Sequence, residues 1–282
     1  MQENKRRLST TPEQNYILFD IDETIRGHRG ASDLIDARLV GLLTTLQAEG
    51  YKLGIVTGRS FGFYQEYLAE LFGRQWRIDS EAIFSLVIYE NGHRAYLNGK
   101  HKVLIDQQSR SELERVREAV DALLQVPNNS LSRFVALPRE ALRSQTLVTL
   151  AVREVTSPRE NENTTLQEIL MELMRSSTTL HMGVGARDLI TLESISATKA
   201  AAATELLENF RVTFCCDGAN DIELATLVSR AGGRVVCPQN ALPALKSIAD
   251  YVADKSFSIG ICDYLEAVVK IVQNERPKFA QA

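Results

Sequence analysis

The sequence predicts an α/β protein, a doubly wound parallel Rossmann-like core with an inserted α+β domain. Three observations carry that prediction. Short apolar runs alternate with helical periodicity up to residue 88. Between 89 and 188 the alternation gives way to hairpin-like patterning. It resumes after Lys199 and continues nearly to the end. A length of 282 residues exceeds one average domain. The expected division is therefore a core of 1–88 and 189–282, with a second domain over 89–188.

Tyr16-Ile17-Leu18-Phe19 reads as a strand buried on both faces. It runs into Asp20-Ile21-Asp22-Glu23-Thr24, and alternation along an extended backbone would aim Asp20 and Asp22 the same way, out of the carboxyl end of the strand. Ligands bind at that end of open parallel sheets. Taken alone, an Asp-rich turn with Asp22 capping a later helix would look the same. Leu39, Leu42, Leu43 and Leu46 then recur at helical spacing before Gly50. Lys52–Val56 is a second strand, closed by Thr57-Gly58-Arg59-Ser60. Tyr64, Tyr67, Leu68, Leu71 and Phe72 mark the next helix, and 82–88 a third strand.

In the inserted block Glu90-Asn91-Gly92 is a turn, and 94–97 with 102–105 form a hairpin. Helices are expected over 111–125 and 166–175. Strand pairs are expected over 133–137 with 145–152 and over 178–182 with 189–192, and 157–165 reads as an exposed loop. Gly183–Arg187 is a hairpin turn and not a dinucleotide fingerprint, for it lacks a third glycine and a strand–turn–helix frame. From Lys199 the order is helix 200–209, strand 211–215, helix 222–229, strand 234–237, helix 241–249, strand 251–252 and a last helix from Ile261.

An apolar share of 44% and a charged share of 24% are those of an ordinary globular protein. The net charge of −4 argues against nucleic-acid and membrane-surface partners, which need a basic patch. No apolar run has the length of a transmembrane helix, and the charged opening residues have no apolar stretch behind them, unlike a secretory signal. Cys215, Cys216, Cys237 and Cys262 lack zinc-site spacing. Three of them sit in or beside apolar runs, where buried free thiols act as small hydrophobes, so a reducing, cytoplasmic compartment is expected. His28, His93, His101 and His181 are scattered without ligand spacing.

The chemistry concentrates at predicted strand ends. The strand over 211–215 stops before Asp217-Gly218-Ala219-Asn220-Asp221, and if it lies beside the first strand, Asp20, Asp22, Asp217 and Asp221 converge. Four such carboxylates repel one another unless a cation intervenes. A hard ion such as Mg²⁺, held by carboxylates, a backbone carbonyl and water, resolves this. Asp-Gly followed by Asn-Asp is equally a good turn and helix cap. Thr57 and the Gly58 N–H precede a helix and suit an anionic oxygen. A lone lysine at a helix start, such as Lys199, is usually just solvated, but an anion site among so many carboxylates needs a fixed cation opposite them.

In order, Asp-x-Asp-x-Thr, Thr-Gly-Arg, Lys and Asp-Gly-x-Asn-Asp resemble the four motifs of the haloacid dehalogenase-like hydrolases. The match covers both outer portions of the chain. The insertion between the second and third motifs resembles the type IIB (C2) cap of that superfamily, and Glu90-Asn91-Gly92 at its entrance is similar to that branch. There are departures: Glu23 and Cys216 stand where glycine is common, and Ala200 follows the lysine where glycine is frequent. The branch includes sugar-phosphate, mannosyl-3-phosphoglycerate and phosphoglycolate phosphatases as well as phosphomannomutases.

The resemblance implies a phosphoric monoester hydrolase acting on a small phosphorylated metabolite. It implies Asp20 as the nucleophile, forming an aspartyl-phosphate, and Asp22 as general acid and base. Mg²⁺ is implied on Asp20, Asp22 (through its carbonyl), Asp217 and Asp221, with phosphate held by Thr57, Gly58, Lys199 and Asn220. A phosphomannomutase-like phosphotransferase is the alternative on the same scaffold, and a phospho-ligand sensor without turnover is a third reading. Substrate choice is expected to lie in the cap, where Arg143 and Arg187 are candidates for meeting an acidic substrate, although arginines there are more often simply solvated at the surface.

Overall fold

The computed structural model describes residues 16–29, 32–72, 83–124, 134–136, 150–154, 168, 170–184, 190–207 and 211–275. The chain divides into two compact units. One comprises Met1–Ile55, Arg77–Ser85 and Asn209–Ala282, the other Val56–Trp76 and Leu86–Glu208. The block expected as a cap, 89–188, lies inside the second unit, which also holds Thr57, Gly58 and Lys199. Arg143, Arg187 and the loop 157–165 lie outside the described residues.

The first unit is built on a parallel sheet. Strand β1 (Tyr16–Phe19) pairs with β12 (Thr213–Cys215) on one side and β4 (Lys52–Val56) on the other. Beyond β12 come β13 (Arg234–Cys237) and β14 (Tyr251–Val252), each pair parallel. Ile17, Leu18 and Phe19 are buried because β1 has neighbours along both edges and cover on both faces. The chain leaves β1 toward β4 and later returns to its other edge at β12, so the end of β1 is the switch point of the sheet.

Helix α1 (Arg38–Ala48) buries Leu39, Val40, Leu43 and Leu46 and packs against the last helix, Phe257–Glu275. Arg38 links the two by reaching Asp36 (2.6 Å), Asp263 (3.0 Å) and Glu266 (2.9 Å). A hairpin of β2 (Gly27–Arg29) and β3 (Ser32–Leu34) leaves the segment after β1. It has no sequence signal, because two three-residue strands cannot show a period.

In the second unit, helix α2 (Phe61–Phe72) follows Thr57–Ser60. The later part of β5 (Phe84–Tyr89) pairs antiparallel with β6 (Arg94–Leu97), and β6 with β7 (Lys100–Val103). The predicted hairpin therefore extends β5 and does not join the four-stranded sheet. That sheet is antiparallel, ordered β10 (Leu180–Val184), β11 (Ile190–Ser194), β9 (Leu150–Glu154), β8 (Phe134–Ala136). Helix α3 (Gln107–Leu124) sends Leu113, Val116 and Val120 into a core with Ile105, Leu170, Leu180, Leu192 and Ala197. It starts four residues earlier than expected because the Asp106 carboxylate accepts the Ser109 N–H (2.8 Å) and hydroxyl (2.6 Å), an N-cap.

Helix α4 (Lys199–Leu206) closes this unit. In the first unit the remaining helices are α5 (Ile222–Arg230), α6 (Pro243–Ile248) and α7, the last helix already described. Among the described residues no helix is long and apolar enough to cross a membrane.

Candidate active site

The carboxylates of the first unit that could ligate a metal gather where β1 and β12 end. The Asp20 N–H donates to the Cys215 carbonyl (3.0 Å), so the ladder between the two strands holds up to the first carboxylate. The Cys216 N–H donates to Val236 (3.1 Å), carrying β12 one residue further along β13 before Asp217. Burial pushes the Cys216 thiol well up, and it sits there as a small neutral side chain.

Beyond Asp217 the backbone turns. Asp221 Oδ2 accepts the N–H groups of Gly218 (3.1 Å) and Asp217 (3.4 Å). A Cβ on Gly218 would meet only the tip of the exposed Asn220 side chain, Oδ1 at 2.8 Å. Asp217 Oδ1 accepts the hydroxyl of the buried Thr24 at 2.6 Å. This bond ties the first and last motifs together, and the motif spacing by itself gave Thr24 no role.

Asp20, Asp217 and Asp221 each offer an oxygen, and the three oxygens lie within 4.8 Å of one another; Asp20 and Asp221 are buried. Two carboxylates at such a distance repel by about 3 kcal/mol at an effective dielectric of about 20. Grouped in this way, the three favour a cation among them. An all-oxygen, carboxylate-rich set suits a hard divalent ion, so these residues fit Mg²⁺.

Asp22 does not share the cluster. The strand stops at Phe19, and the chain then folds back: Thr24, Ile25 and Arg26 all donate to the Ile21 carbonyl, and Asp22 bridges to Arg26. Glu23 has φ +60°, the left-handed region, which explains why glycine is at home there. With a side chain that conformation costs about 1–2 kcal/mol. The turn is held by Glu23 N–H to Arg26 (2.7 Å) and Asn240 Nδ2 to the Glu23 carbonyl (2.7 Å).

The second unit organises the other two motifs around one turn. The Thr57 N–H donates to Ile88 (2.9 Å), and the Thr57 hydroxyl accepts the Arg59 N–H (3.1 Å), which leaves its own proton to donate. Glu90 N–H donates to Arg59 (2.9 Å) and Asn91 N–H to Thr57 (3.2 Å). Glu90 and Asn91 have φ of +52° and +54°. A Cβ on Gly58 would come within 2.7 Å of Asn91 Oδ1. One on Gly92, at φ +100°, would strike the Thr198 carbonyl oxygen at 2.2 Å.

Gly92 therefore sits against the peptide that opens α4, whose first residue is the buried Lys199. The turn Glu90–Gly92 links Thr57 and Gly58 to Lys199. The sequence identified it only as a turn at the cap entrance. Asn91 Nδ2 also donates to Glu193 Oε1 on β11 (2.6 Å), a contact no motif signalled. Asn220, assigned to the phosphate, is exposed in the turn Ala219–Asp221 of the first unit.

No protein-family model matches the chain, and no curated protein matches it. Solved structures do. A haloacid dehalogenase-like hydrolase from Bacteroides thetaiotaomicron superposes with a TM-score of 0.69 at 14% identity, over 91% of this chain and 100% of its own. The sucrose-phosphatase of Synechocystis, solved with sucrose and phosphate, gives 0.60 at 17% identity over 91% and 98%. A haloacid dehalogenase subclass IIB sugar phosphatase gives 0.56 at 18% over 90% and 99%. These likenesses span nearly the whole of each chain and show a shared fold.

Proposed function

We propose that this chain, which has the haloacid dehalogenase-like fold, is a Mg²⁺-dependent phosphatase acting on a small phosphorylated metabolite such as a sugar phosphate or a phosphoglycolate-like acid. The observation that carries this reading is the meeting of Asp20, Asp217 and Asp221 at the ends of β1 and β12. Among the structural neighbours are a sucrose-phosphatase and a sugar phosphatase, which supports the same class of substrate. Four buried free cysteines support a reducing, cytoplasmic setting.

In this reading Asp20, Asp217, Asp221 and the Asp22 carbonyl would hold the ion, which would supply charge neutralisation at the nucleophile and the phosphoryl oxygens. An Asp20 oxygen attacks phosphorus, and the bond from phosphorus to the ester oxygen breaks. Asp22 gives its proton to the leaving oxygen. Water then attacks the aspartyl-phosphate and passes a proton to Asp22. The bond from phosphorus to Asp20 breaks, releasing phosphate and restoring both carboxyl groups. Thr57, the Gly58 N–H, Asn220 and Lys199 are assigned to the oxygens of the transferred group. Phosphoryl transfer depends mainly on such positioning and charge complementarity. The segment 89–188 is assigned as the domain that selects the ester.

The test is a screen of phosphorylated metabolites with Mg²⁺, reading free phosphate. Asp20→Asn is expected to abolish turnover while the circular dichroism spectrum stays that of the wild type, because an amide is no nucleophile. Ordinary activity in that variant, with deamidation excluded, would sink the assignment. Free phosphate as product, and not a rearranged sugar phosphate, separates hydrolysis from phosphotransfer.

A further inference from the structure

We propose that Asn240 is a positioning residue for the arm that carries Asp22; the inference rests on the phosphatase reading. Asn240 lies between β13 and α6, and its carboxamide closes on two backbone groups far from it in sequence. Nδ2 donates to the Glu23 carbonyl at 2.7 Å, and Oδ1 accepts the Phe257 N–H at 2.9 Å. The partners fix the orientation of the amide, since a carbonyl only accepts and an N–H only donates.

Both partners are strained. Glu23 has φ +60° and Phe257 φ +56°, a region that penalises residues with a Cβ. Strain of this kind persists only where the surroundings over-determine it, and it gathers at functional sites. The two strained positions share one side chain. The Glu23 N–H is tied to Arg26 as well (2.7 Å), so the peptide on each side of Glu23 is anchored. At the far end of the same arm, the Phe257 ring lies 2.6 Å from where a Cβ of Gly27 would be. Asn240 and Phe257 thus pin residues 23–27 to the start of α7.

Asp20 needs no such clamp, because the β1–β12 ladder holds its backbone. Asp22 sits past the end of that ladder, directly before the clamped residue. Freeing the Glu23 carbonyl loosens the proposed proton donor and leaves the nucleophile in place.

The experiment measures kcat and KM for wild type, Asn240→Ala, Asn240→Asp and the double variant Asn240→Ala with Glu23→Gly. The probes are p-nitrophenyl phosphate, phenyl phosphate and β-glycerol phosphate at saturating Mg²⁺. Asn240→Asp keeps the side-chain volume and the acceptor for Phe257, but sets an oxygen against the Glu23 carbonyl. A positioned acid contributes about 10²–10⁴-fold. Both single variants are expected to lose about tenfold or more in kcat on β-glycerol phosphate, whose alkoxide leaves poorly, and about threefold or less on p-nitrophenyl phosphate, with phenyl phosphate between. KM stays as in wild type. Glycine at 23 takes the left-handed conformation without strain and restores part of the loss on the poor leaving group. Equal losses on all three esters, or losses matching the unfolded fraction seen by circular dichroism, overturn the proposal. A wild type inactive on every ester overturns the phosphatase reading itself, and the proposal with it.

Discussion

Asp217 shows how a single side chain depends on its surroundings. One of its oxygens takes the Thr24 hydroxyl, its own N–H points at Asp221, and its carboxylate faces two others within 4.8 Å. Without a cation the three charges oppose folding, so binding of Mg²⁺ should appear as stability. At a free concentration about a hundredfold above the dissociation constant, binding adds about 2.7 kcal/mol. The melting temperature of the wild type is expected to rise with Mg²⁺. Asp217→Asn should melt no lower than wild type in EDTA, because one repelling charge is gone, and should lose most of the response to Mg²⁺. Ca²⁺ also accepts oxygen ligands, but it prefers more of them at longer distances, so it should raise the melting temperature without supporting turnover. A melting temperature equally raised by Mg²⁺ in wild type and variant would remove the ion from this cluster.

At the scale of elements, the parallel core was legible because each strand carries its own signal. The run Tyr16–Phe19, the strand Arg234–Cys237 and the pair Tyr251-Val252 lie where the sequence puts them. The carboxylates at strand ends were legible for the same reason. What the sequence hid is contact made by backbone turns. Nothing in Asp22 announces that the chain folds back after Phe19, nor does Gly92 reveal that it rests on the Thr198 carbonyl. His93 is a further case, read as one of four scattered histidines. Its ring is fully buried, and its Nε2 accepts the Ser194 N–H at 3.2 Å. Among the described residues Nδ1 has no hydrogen-bond partner.

Burial, with a smaller contribution from His181, pushes the His93 pKa down to about 3. The unfolded chain then binds a proton below about pH 6.5 that the folded one refuses. Stability from this group is whole above pH 6.5 and falls as the pH drops toward 3, by about 1.4 kcal/mol per pH unit. Urea unfolding at pH 7.5 and 5.5 should show that loss in wild type, and a much flatter response in His93→Gln. Parallel responses in the two proteins would show that His93 is free to protonate while folded.

For the molecule as a whole, the question is whether ester choice and phosphoryl chemistry belong to separable parts. The core under the four-stranded sheet, drawn from the inserted block and from Leu192 and Ala197 just after it, favours separation. Ile105, Leu113, Val116, Val120, Leu170, Leu180, Leu192 and Ala197 pack together under the four-stranded sheet, and no proposed reacting group is among them. The hairpin β6–β7 belongs elsewhere, since it continues β5, and the turn Glu90–Gly92 is bonded to Thr57 and Arg59. An exchange that tests the idea must therefore keep residues up to 103 and resume near Ser196. It would replace the block with its equivalent from a sugar phosphatase of the same fold. Binding energy from the part of the substrate that does not react helps place the phosphoryl group, so a foreign block should change kcat/KM between esters far more than it changes the rate with p-nitrophenyl phosphate. The chimera is expected to take on the substrate ranking of the donor while keeping its dependence on Asp20 and Mg²⁺. If it keeps the ranking of the parent, selectivity resides with the residues at the ends of β1 and β12, and the inserted block has some other task.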